Sequence, residues 1–439
     1  MAPLPLDEIQ GFILKGYNLE TLRIVPLRVK RAADAKRCLA SLVDQNSSAP
    51  QLTTGRRNGS PEYGINIGFT SEGLRALGVR APSLRTFPEE FRLGAAARAD
   101  VVGDSGASSP VHWDEAFKAE SRLHALLFIY AKDDNTRTGV SNRLGAALSA
   151  GFTTLSAPYD SERLPNQQVH FGFRDGIAQP TIAGTPRSRR TDPLPEAKAG
   201  EFLLGYPSQY DRHMYTVPTP SELGENGSFL AFRLLHQDCD GFERFLDDAE
   251  QQTGLPRELI MAKLCGRWPS GVPLSLSPDQ DNPQTPADQY NDFDYNGDPD
   301  GVACPIGSHI RRMNPRSSPV MGGANLKRRI IRRGMPFGTP HVLNDGKERG
   351  LLGVFICVSL KDQFEFLMSK WTNDGAFGGM SVRGTRDPIH GDNGVGQGEF
   401  RFPTRNGIVR LTGLSRFVTC RGAAYCFLPS VTGIRYLAR

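Results

Sequence analysis

Apolar runs and helix-like stripes alternate along the first half of the chain. The runs predict strands at residues 22–29, 63–69 and 123–130, and the stripes predict helices at residues 32–43 and 141–150. Pro26 lies within the first run and favours an edge position, because proline cannot donate a hydrogen bond to a neighbouring strand. Strands that alternate with helices in this way predict a layered α+β fold.

The same order recurs after a stretch rich in Pro, Arg, Thr and Lys, between about Pro180 and Gly200, which predicts a linker. Apolar runs then predict strands at residues 228–235, 351–360 and 425–428, the last of which closes the sheet. Two helices are predicted, one capped by Asp240 and one opened by Asp362, with apolar stripes at Phe242, Phe245, Leu246 and Ala249 and at Phe364, Leu367, Met368 and Trp371. We therefore predict two domains, residues 1–180 and 200–439.

The size and composition agree with two globular domains. A chain of 439 residues exceeds what one simple core accommodates, and 38% hydrophobic with 23% charged residues is ordinary for a globular protein. The net charge is +5, with basic clusters at Arg187 to Arg190 and Lys327 to Arg333. No aromatic platform accompanies these clusters, so we predict salt bridges or an anionic cofactor and no nucleic-acid partner.

Cysteine usage and the termini predict a cytoplasmic protein. The seven cysteines, at positions 38, 239, 265, 304, 357, 420 and 426, form no C-x-x-C pair, which is typical of reduced thiols. The amino-terminal residues lack the basic and apolar regions of an export signal. No uninterrupted apolar run approaches the ~20 residues that span a bilayer, so no membrane association is expected.

An acidic segment, residues 279–301, precedes the stretch with the most distinctive chemistry. Asp292 to Asp298 imitates the start of an EF-hand loop, but Ala303 stands where the loop requires a bidentate Glu. We therefore predict an ordered acidic loop and no calcium site. It leads into Cys304-Pro305-Ile306-Gly307-Ser308-His309-Ile310-Arg311-Arg312, in which one histidine sits beside two arginines.

Two motifs in this order resemble the dye-decolorising peroxidases. They are Gly172-x-x-Asp175-Gly176 and, far downstream, Cys304-Pro305-x-Gly307-x-His309-Ile310-Arg311-Arg312. Further segments resemble the longer, cytosolic branch of that family and follow in family order over nearly the whole chain: Ile9-Gln10-Gly11, Gly200 to Tyr206, Gly266-Arg267-Trp268, Gln363 to Phe366 and Phe427 to Ser430. One G-x-x-D-G alone is a weak signal, but the ordered set is specific.

The resemblance implies a fold, a cofactor and site residues. The fold is two ferredoxin-like α+β domains with antiparallel sheets and peripheral helices, with haem bound in the C-terminal half. His309 matches the proximal ligand of the haem iron, and Asp175 and Arg332 match a distal acid and arginine. Arg332 is preferred to Arg333 because the family arginine lies two places before the residue matched by Gly334.

The chemistry suits these assignments. Imidazole is a usual axial ligand of haem in peroxidases, and the absence of C-x-x-C-H predicts a non-covalent b-type haem. Arg311 is placed either to bind a haem propionate or to form a structural salt bridge. Asp175 is predicted to act as general base and then acid on peroxide, with an ordinary turn aspartate as the alternative. Arg332 is predicted to stabilise negative charge as the O–O bond breaks.

One departure from the family concerns the acid behind the histidine. Family members often carry Gly-Gly-Glu where this chain has Gly422-Ala423-Ala424. If that Glu orients the proximal histidine, its replacement by Ala424 predicts a higher iron reduction potential. Electrons from bulky donors need a relay, for which Trp113, Trp268 and Trp371 are candidates, although the helical stripe favours a core position for Trp371.

We therefore predict a haem peroxidase that reduces hydrogen peroxide and oxidises aromatic donors, such as dyes, phenols and anilines, by one-electron steps through a ferryl intermediate. Two alternatives remain open from the sequence. One is a haem-binding or haem-handling protein with little turnover, and the other is a specialised biosynthetic haem oxidase on the same scaffold. The presence of both Asp175 and Arg332 favours the peroxidase, because haem binding alone requires neither.

Overall fold

The computed structural model describes residues 3–56, 61–118, 122–185, 196–210, 213–317, 327–377, 385–394 and 396–439. Residues 186–195 of the predicted linker, which include the basic cluster from Arg187 to Arg190, lie outside the described residues.

The strands are, in chain order, β1 (Thr21–Val29), β2 (Tyr63–Phe69), β3 (Ala125–Ala131), β4 (Phe152–Thr154), β5 (Tyr159–Glu162), β6 (Ser228–Gln237), β7 (Ile331–Arg332), β8 (Met335–Phe337), β9 (Gly350–Cys357), β10 (Gly398–Thr404), β11 (Gly407–Leu414) and β12 (Val418–Leu428). All pairings between them are antiparallel. Together with the helices, they confirm the predicted α+β class.

The α-helices are α1 (Gly11–Leu14), α2 (Ala32–Ser41), α3 (Ser71–Ala76), α4 (Ala81–Leu84), α5 (Glu89–Ala97), α6 (Glu115–Lys118), α7 (Asp134–Leu148), α8 (Ser221–Gly224), α9 (Cys239–Thr253), α10 (Arg257–Cys265), α11 (His309–Met313) and α12 (Val431–Leu437). Two successive π-helical segments, Leu360–Glu365 and Leu367–Thr372, follow β9. Short 3₁₀ turns are Ala99–Val102, Gly106–Ser108, Pro110–His112, Pro165–Gln167, Ala199–Glu201 and Ala287–Gln289.

One large sheet runs through both halves of the chain, in the order β4-β1-β3-β2-β12-β6-β9-β7, with β5 also paired to β1 and β8 to β9. The two halves meet where β12 pairs with β2 at a single position, Phe427 opposite Phe69. Phe427 packs there against Phe87 and Phe229, with ring centroids 5.1 and 5.5 Å away. The last strand thus lies inside the sheet and joins its halves instead of closing an edge, and the boundaries at 180 and 200 stay a prediction.

The predicted edge position of Pro26 is wrong. Its strand, β1, pairs with β3 on one side and with β5 and then β4 on the other. The β5 pairing ends at Ile24 and the β4 pairing starts at Leu27, so Pro26 lies in the gap between the two partners. The Pro26 carbonyl accepts the Leu155 N–H at 3.0 Å, and neither β4 nor β5 pairs with position 26, so a proline without an N–H group is tolerated inside the sheet.

The predicted cap of α9 is also wrong. The side chain of Asp238, not Asp240, accepts the Gly241 N–H at 2.8 Å, and Asp240 instead lies 2.8 Å from the imidazole of His341. The predicted apolar stripe of α9 is buried, as is that of the helix after β9. That second helix begins after Ser359, whose hydroxyl accepts the Asp362 N–H, and its π-helical geometry was not predicted.

The cysteines and tryptophans lie in the interior. All seven cysteines are free and buried, and the side chains of Trp113, Trp268 and Trp371 are 1%, 3% and 4% exposed. Among the described residues, no helix is both long and apolar enough to cross a bilayer. The cytoplasmic location stays a prediction.

Candidate functional site

A tight loop after β5 presents Asp175. Gly172 and Gly176 have φ angles of +83° and +76°, a backbone region that favours glycine. The Asp175 N–H donates to the Gln167 carbonyl at 2.9 Å, which folds the loop back on itself. The spacing of the G-x-x-D-G motif thus follows from two left-handed turns that aim one carboxylate out of the loop.

Arg332 ends the short strand β7 and lies directly opposite Phe355 of β9. Its Nη1 donates to Asp175 Oδ1 at 3.1 Å, and its Nη2 donates to the Ala178 carbonyl at 3.1 Å. Its main-chain N–H donates to the side chain of Gln179, also at 3.1 Å. The structure therefore brings together the two predicted catalytic residues, which are 157 positions apart in the chain.

Arg333 points elsewhere. Its Nε donates to the Phe12 carbonyl at 2.6 Å, and its own carbonyl accepts the Tyr130 hydroxyl at 2.7 Å. Successive side chains of a strand point to opposite faces of a sheet, so only one of two adjacent arginines can reach Asp175. The geometry supports the choice of Arg332.

His309 is the first residue of α11 and is held by buried neighbours. Arg312, fully buried on the next turn, donates to the Gly307 carbonyl at 2.9 Å and to the Trp371 carbonyl at 2.8 Å. It also donates to the Thr385 carbonyl. One guanidinium therefore ties α11 to the second π-helical segment and to the segment that carries Asp387.

Asp387 holds the imidazole. Its Oδ2 lies 2.8 Å from His309 Nδ1, and its Oδ1 accepts the N–H groups of Ile389 and His390, both at 2.9 Å. A carboxylate accepts, so the Nδ1 of His309 carries the proton and its Nε2 presents a lone pair. No hydrogen bond to this Nε2 is found within the described ranges, and the nitrogen is therefore suited to bind a metal.

The charges at the site act on one another. Burial lowers the pKa of His309, but the charge and hydrogen bond of Asp387 outweigh this effect, and the pKa is raised overall. Of the more distant charges, Arg332 lowers the pKa of His309 and Asp175 raises it. Burial raises the pKa of Asp175, but the Arg332 charge and the Gly176 N–H hold it below its ordinary value. His309 is thus coupled electrostatically to both members of the Asp175–Arg332 pair.

Asp175 and His309 combine depth with accessibility. Both are surrounded by protein, yet their side chains keep 50% and 29% of their surfaces accessible, and the side chain of the neighbouring Arg332 keeps 39%. Side chains that lie deep and remain accessible line a cleft. We call the space between these three residues the central cleft.

Arg311 does not share this cleft. Its guanidinium pairs with the Asp298 carboxylate at 2.9 Å and donates to the carbonyls of Asp298 and Cys304 at 2.6 and 2.5 Å. It also lies over the ring of Tyr295. Of the two roles open to Arg311, the geometry supports the structural salt bridge. The cofactor-binding role of Arg311 stays a prediction, which this geometry does not favour because the guanidinium is directed into the acidic loop.

The acidic loop is ordered by this pair. Asp298 also accepts the N–H groups of Ala303 and Cys304, at 3.1 and 2.9 Å, and Lys263 donates to the carbonyls of Val302 and Ala303. Across the described ranges, no group of three or more His, Cys, Asp or Glu side chains is placed to hold a metal ion.

The sequence interpretation missed Asp387. It considered only the position of Ala424 as the place of an acid behind His309. Ala424 lies opposite Phe232, whereas Arg332 and Phe355 project from the other face of the same sheet. The acid behind His309 comes instead from Arg386-Asp387-Pro388, a turn-like sequence with no spacing relative to His309 that would identify it. The hypothesis that this chain lacks an orienting acid is wrong.

Comparisons with known proteins agree with this geometry. The family model described as the DyP dimeric alpha+beta barrel domain matches residues 8–157. The chain is 31% identical to a dye-decolorizing peroxidase of Mycena epipterygia, over 99% of this chain and 87% of the relative. It is 28% identical to a multifunctional dye peroxidase of an Amycolatopsis strain, over 99% of this chain and 96% of the relative.

Solved structures show the same fold. A dye-decolorizing peroxidase in complex with 2,6-dimethoxyphenol superposes with a TM-score of 0.83 at 26% identity, over 99% of this chain and all of the other. A double mutant of the Auricularia auricula-judae enzyme superposes with a TM-score of 0.85 at 27% identity, with the same coverage. A cofactor that needs one protein ligand fits His309, which offers one oriented nitrogen. The chain belongs to the dye-decolorizing peroxidase family of haem peroxidases.

Proposed function

We propose that the protein binds a b-type haem in the central cleft and uses it to reduce hydrogen peroxide and oxidise aromatic donors. In this proposal, His309 Nε2 is the single protein ligand of the iron and the haem is non-covalent. The observation that carries the proposal is the arrangement of three side chains: an imidazole oriented by Asp387 and, on the same cleft, an Asp175 carboxylate paired with Arg332.

Asp387 prepares the imidazole for metal binding. It accepts the Nδ1–H of His309 and so keeps the Nε2 lone pair free. Its negative charge makes the imidazole a stronger donor, as carboxylates behind metal-ligating histidines commonly do. A haem bound there would supply the redox chemistry, and His309 would hold it through Nε2.

Asp175 handles the protons of peroxide. Hydrogen peroxide must lose a proton from one oxygen and gain one on the other, which leaves as water. An ionised carboxylate on the cleft accepts the first proton and returns it to the leaving oxygen, so no net proton is consumed by the side chain. Arg332 keeps this carboxylate ionised by lowering its pKa.

Arg332 has a second role as a cationic hydrogen-bond donor. Its guanidinium is fixed by the Ala178 carbonyl and, through its main chain, by Gln179. A donor held in place before the reaction stabilises negative charge on the departing oxygen without a cost for reorganisation. An ordinary turn aspartate at position 175 would not require a partner so firmly fixed from another strand.

Aromatic compounds are the proposed electron donors. A related structure with a phenol, 2,6-dimethoxyphenol, supports this class. Each donor would give up one electron, so two donor molecules are oxidised for each peroxide reduced.

The test is rapid mixing of the purified holoprotein with hydrogen peroxide, followed at the Soret band. We expect a fast change in the Soret band that reverses when a phenol or aniline is added. A haem-handling protein would bind haem but show no fast reaction with peroxide. Protein that stays colourless after reconstitution with haemin would overturn the proposal.

A further inference from the structure

Tyr425 is a buried tyrosine whose hydroxyl contacts a carboxylate. The Tyr425 hydroxyl donates to Glu365 Oε1 at 3.1 Å, and the two residues are 3% and 2% exposed. Arg98 holds the same carboxylate with two parallel hydrogen bonds, at 2.9 and 2.6 Å. Because the carboxylate is clamped, it cannot turn away from the phenol.

The helix geometry that places this carboxylate is rare. Glu365 is the last residue of the π-helical segment Leu360–Glu365, and π-helices hold well under 1% of residues in globular proteins, frequently at functional sites. The preceding residue, Phe364, is turned toward the sheet. Its ring lies 6.1 Å from that of Tyr425, so consecutive residues of this segment contact both the ring and the hydroxyl of one tyrosine.

A chain of aromatic rings connects Tyr425 to the cleft. Phe355 lies directly opposite Arg332, and residues in register across a strand pair project from the same face of a sheet. The Phe355 ring is 5.6 Å from that of Phe364. Along the sheet, Ala231 of β6 is in register with both Phe355 and Tyr425, so the two rings stand on either side of a small residue.

The surroundings keep Tyr425 neutral until it is oxidised. Burial, and then the charge of Glu365, raise the pKa of its hydroxyl well above the ordinary value. A phenol that loses an electron becomes strongly acidic, so oxidation in the interior requires a base already in contact. Glu365 is that base, and the 3.1 Å hydrogen bond is the path of the proton.

We propose that Tyr425 is an internal one-electron donor to the oxidised haem, with Glu365 as its proton acceptor. This inference rests on the proposed peroxidase function, which supplies the oxidant. One electron leaves the phenol ring and reduces the haem by one equivalent, while the O–H bond breaks and its proton moves to Glu365. The products are a neutral tyrosyl radical and a protonated carboxyl group. One electron from an aromatic donor, together with the proton that Glu365 gives back, then restores the phenol and the carboxylate.

The test is electron paramagnetic resonance of holoprotein frozen shortly after mixing with one equivalent of hydrogen peroxide and no donor. We expect an organic radical whose spectrum narrows when the protein carries ring-deuterated tyrosine. Tyr425→Phe should lose this tyrosyl signal. Glu365→Gln, which keeps the side-chain size but removes the base, should also lose most of it.

Tyr295→Phe is the matched control. Tyr295 is likewise buried, 1% exposed, but its hydroxyl has no hydrogen-bond partner within the described part of the structure. The control should keep the radical signal of the parent. The Soret spectrum and thermal midpoint of each variant establish that the haem site and the fold are intact.

The outcomes separate the two proposals. A normal Soret change with a tyrosyl signal that persists in Tyr425→Phe overturns the role of Tyr425 and leaves the peroxidase function standing. A purely structural Tyr425 would lower the thermal midpoint on substitution without changing the radical spectrum, which also overturns it. No Soret change with peroxide in the parent overturns the proposed function itself.

Discussion

Asp387 contacts His309 from 78 positions farther along the chain, with its Oδ2 2.8 Å from Nδ1 of the imidazole. The carboxylate is fully buried, and its other oxygen is occupied by two backbone N–H groups. Burial alone would raise its pKa, but the charge of His309 and its hydrogen bond hold the pKa well below the usual value. A permanent negative charge therefore stands behind the proposed iron ligand.

Replacement of that charge should weaken the haem site. In Asp387→Asn, the side chain can still accept from the imidazole but carries no charge, so His309 becomes a poorer donor. We expect about a ten- to hundredfold loss in haem affinity or in the rate with peroxide, together with a higher iron reduction potential. Haem titration measures the affinity, stopped-flow absorbance measures the rate, and spectroelectrochemistry measures the potential.

Asp279→Asn is the control for that substitution, because Asp279 is an exposed carboxylate whose side chain is 71% accessible. It should behave as the parent. An unchanged reduction potential in Asp387→Asn would contradict the role assigned to the buried acid.

The Asp175–Arg332 pair predicts a loss of rate with retention of haem. Removal of one hydrogen-bond donor to developing negative charge commonly costs roughly a hundred- to a thousandfold in rate. Arg332→Leu should therefore slow the Soret change with peroxide by about that factor. Asp175→Asn should also slow it, because the amide cannot accept the proton. Stopped-flow absorbance at several peroxide concentrations gives the second-order rate constant.

The neighbouring arginine provides the comparison. Arg333→Lys keeps the charge at a position that contacts Phe12 rather than Asp175, and it should react at nearly the parental rate. If Asp175→Asn and Arg332→Leu matched the parent as well, the catalytic assignment would fail.

The pH dependence follows from the lowered pKa of Asp175. Burial raises this pKa, but the Arg332 charge and the Gly176 N–H lower it by more, so the carboxylate stays ionised below the ordinary value of about 3.9. The rate with peroxide should therefore persist into acid solution and fall only when Asp175 becomes protonated.

Arg332→Leu tests the sign of this shift. Without the guanidinium, burial dominates, so the pKa of Asp175 rises and the acid limb of the pH–rate profile should move toward neutral pH. A limb near the pKa of about 6.5 of a free imidazole in the parent protein would show that a histidine, not Asp175, accepts the proton.

The Arg311–Asp298 ion pair predicts a loss of stability. Arg311 is 1% exposed and the Asp298 side chain is 14% exposed. Removal of one partner of a buried pair costs about 3–5 kcal/mol, because the other charge stays buried. We expect Arg311→Ala to lower the free energy of unfolding of the haem-free protein by an amount of that order, measured by urea titration.

A propionate-binding role for Arg311 makes a different prediction. It would lower haem affinity while leaving the stability of the haem-free protein unchanged. The free energy of unfolding of the haem-free protein thus distinguishes the two roles directly. Lys347→Ala, on an exposed loop, is the control for the loss of a cation.

The sequence alone predicted features that depend on only a few neighbouring residues. Apolar alternation located β2 at its observed bounds, and the stripe of α9 identified its buried face, since both depend only on the period of side chains along one element. The glycines of G-x-x-D-G and the histidine of the Cys304–Arg312 stretch marked the loop and the helix start that carry Asp175 and His309. Motifs of this kind can be recognised in a sequence because a few consecutive residues determine their geometry.

Contacts between distant segments were decided only by the tertiary structure. Pro26 sits inside the sheet because two different partners end and begin beside it, and β12 joins the two halves instead of bounding one. The acid behind His309 comes from Asp387 and not from the position of Ala424, and Arg311 turns away into the acidic loop. Sequence spacing carries no information about which remote side chain meets another across the core, because that depends on how the elements pack.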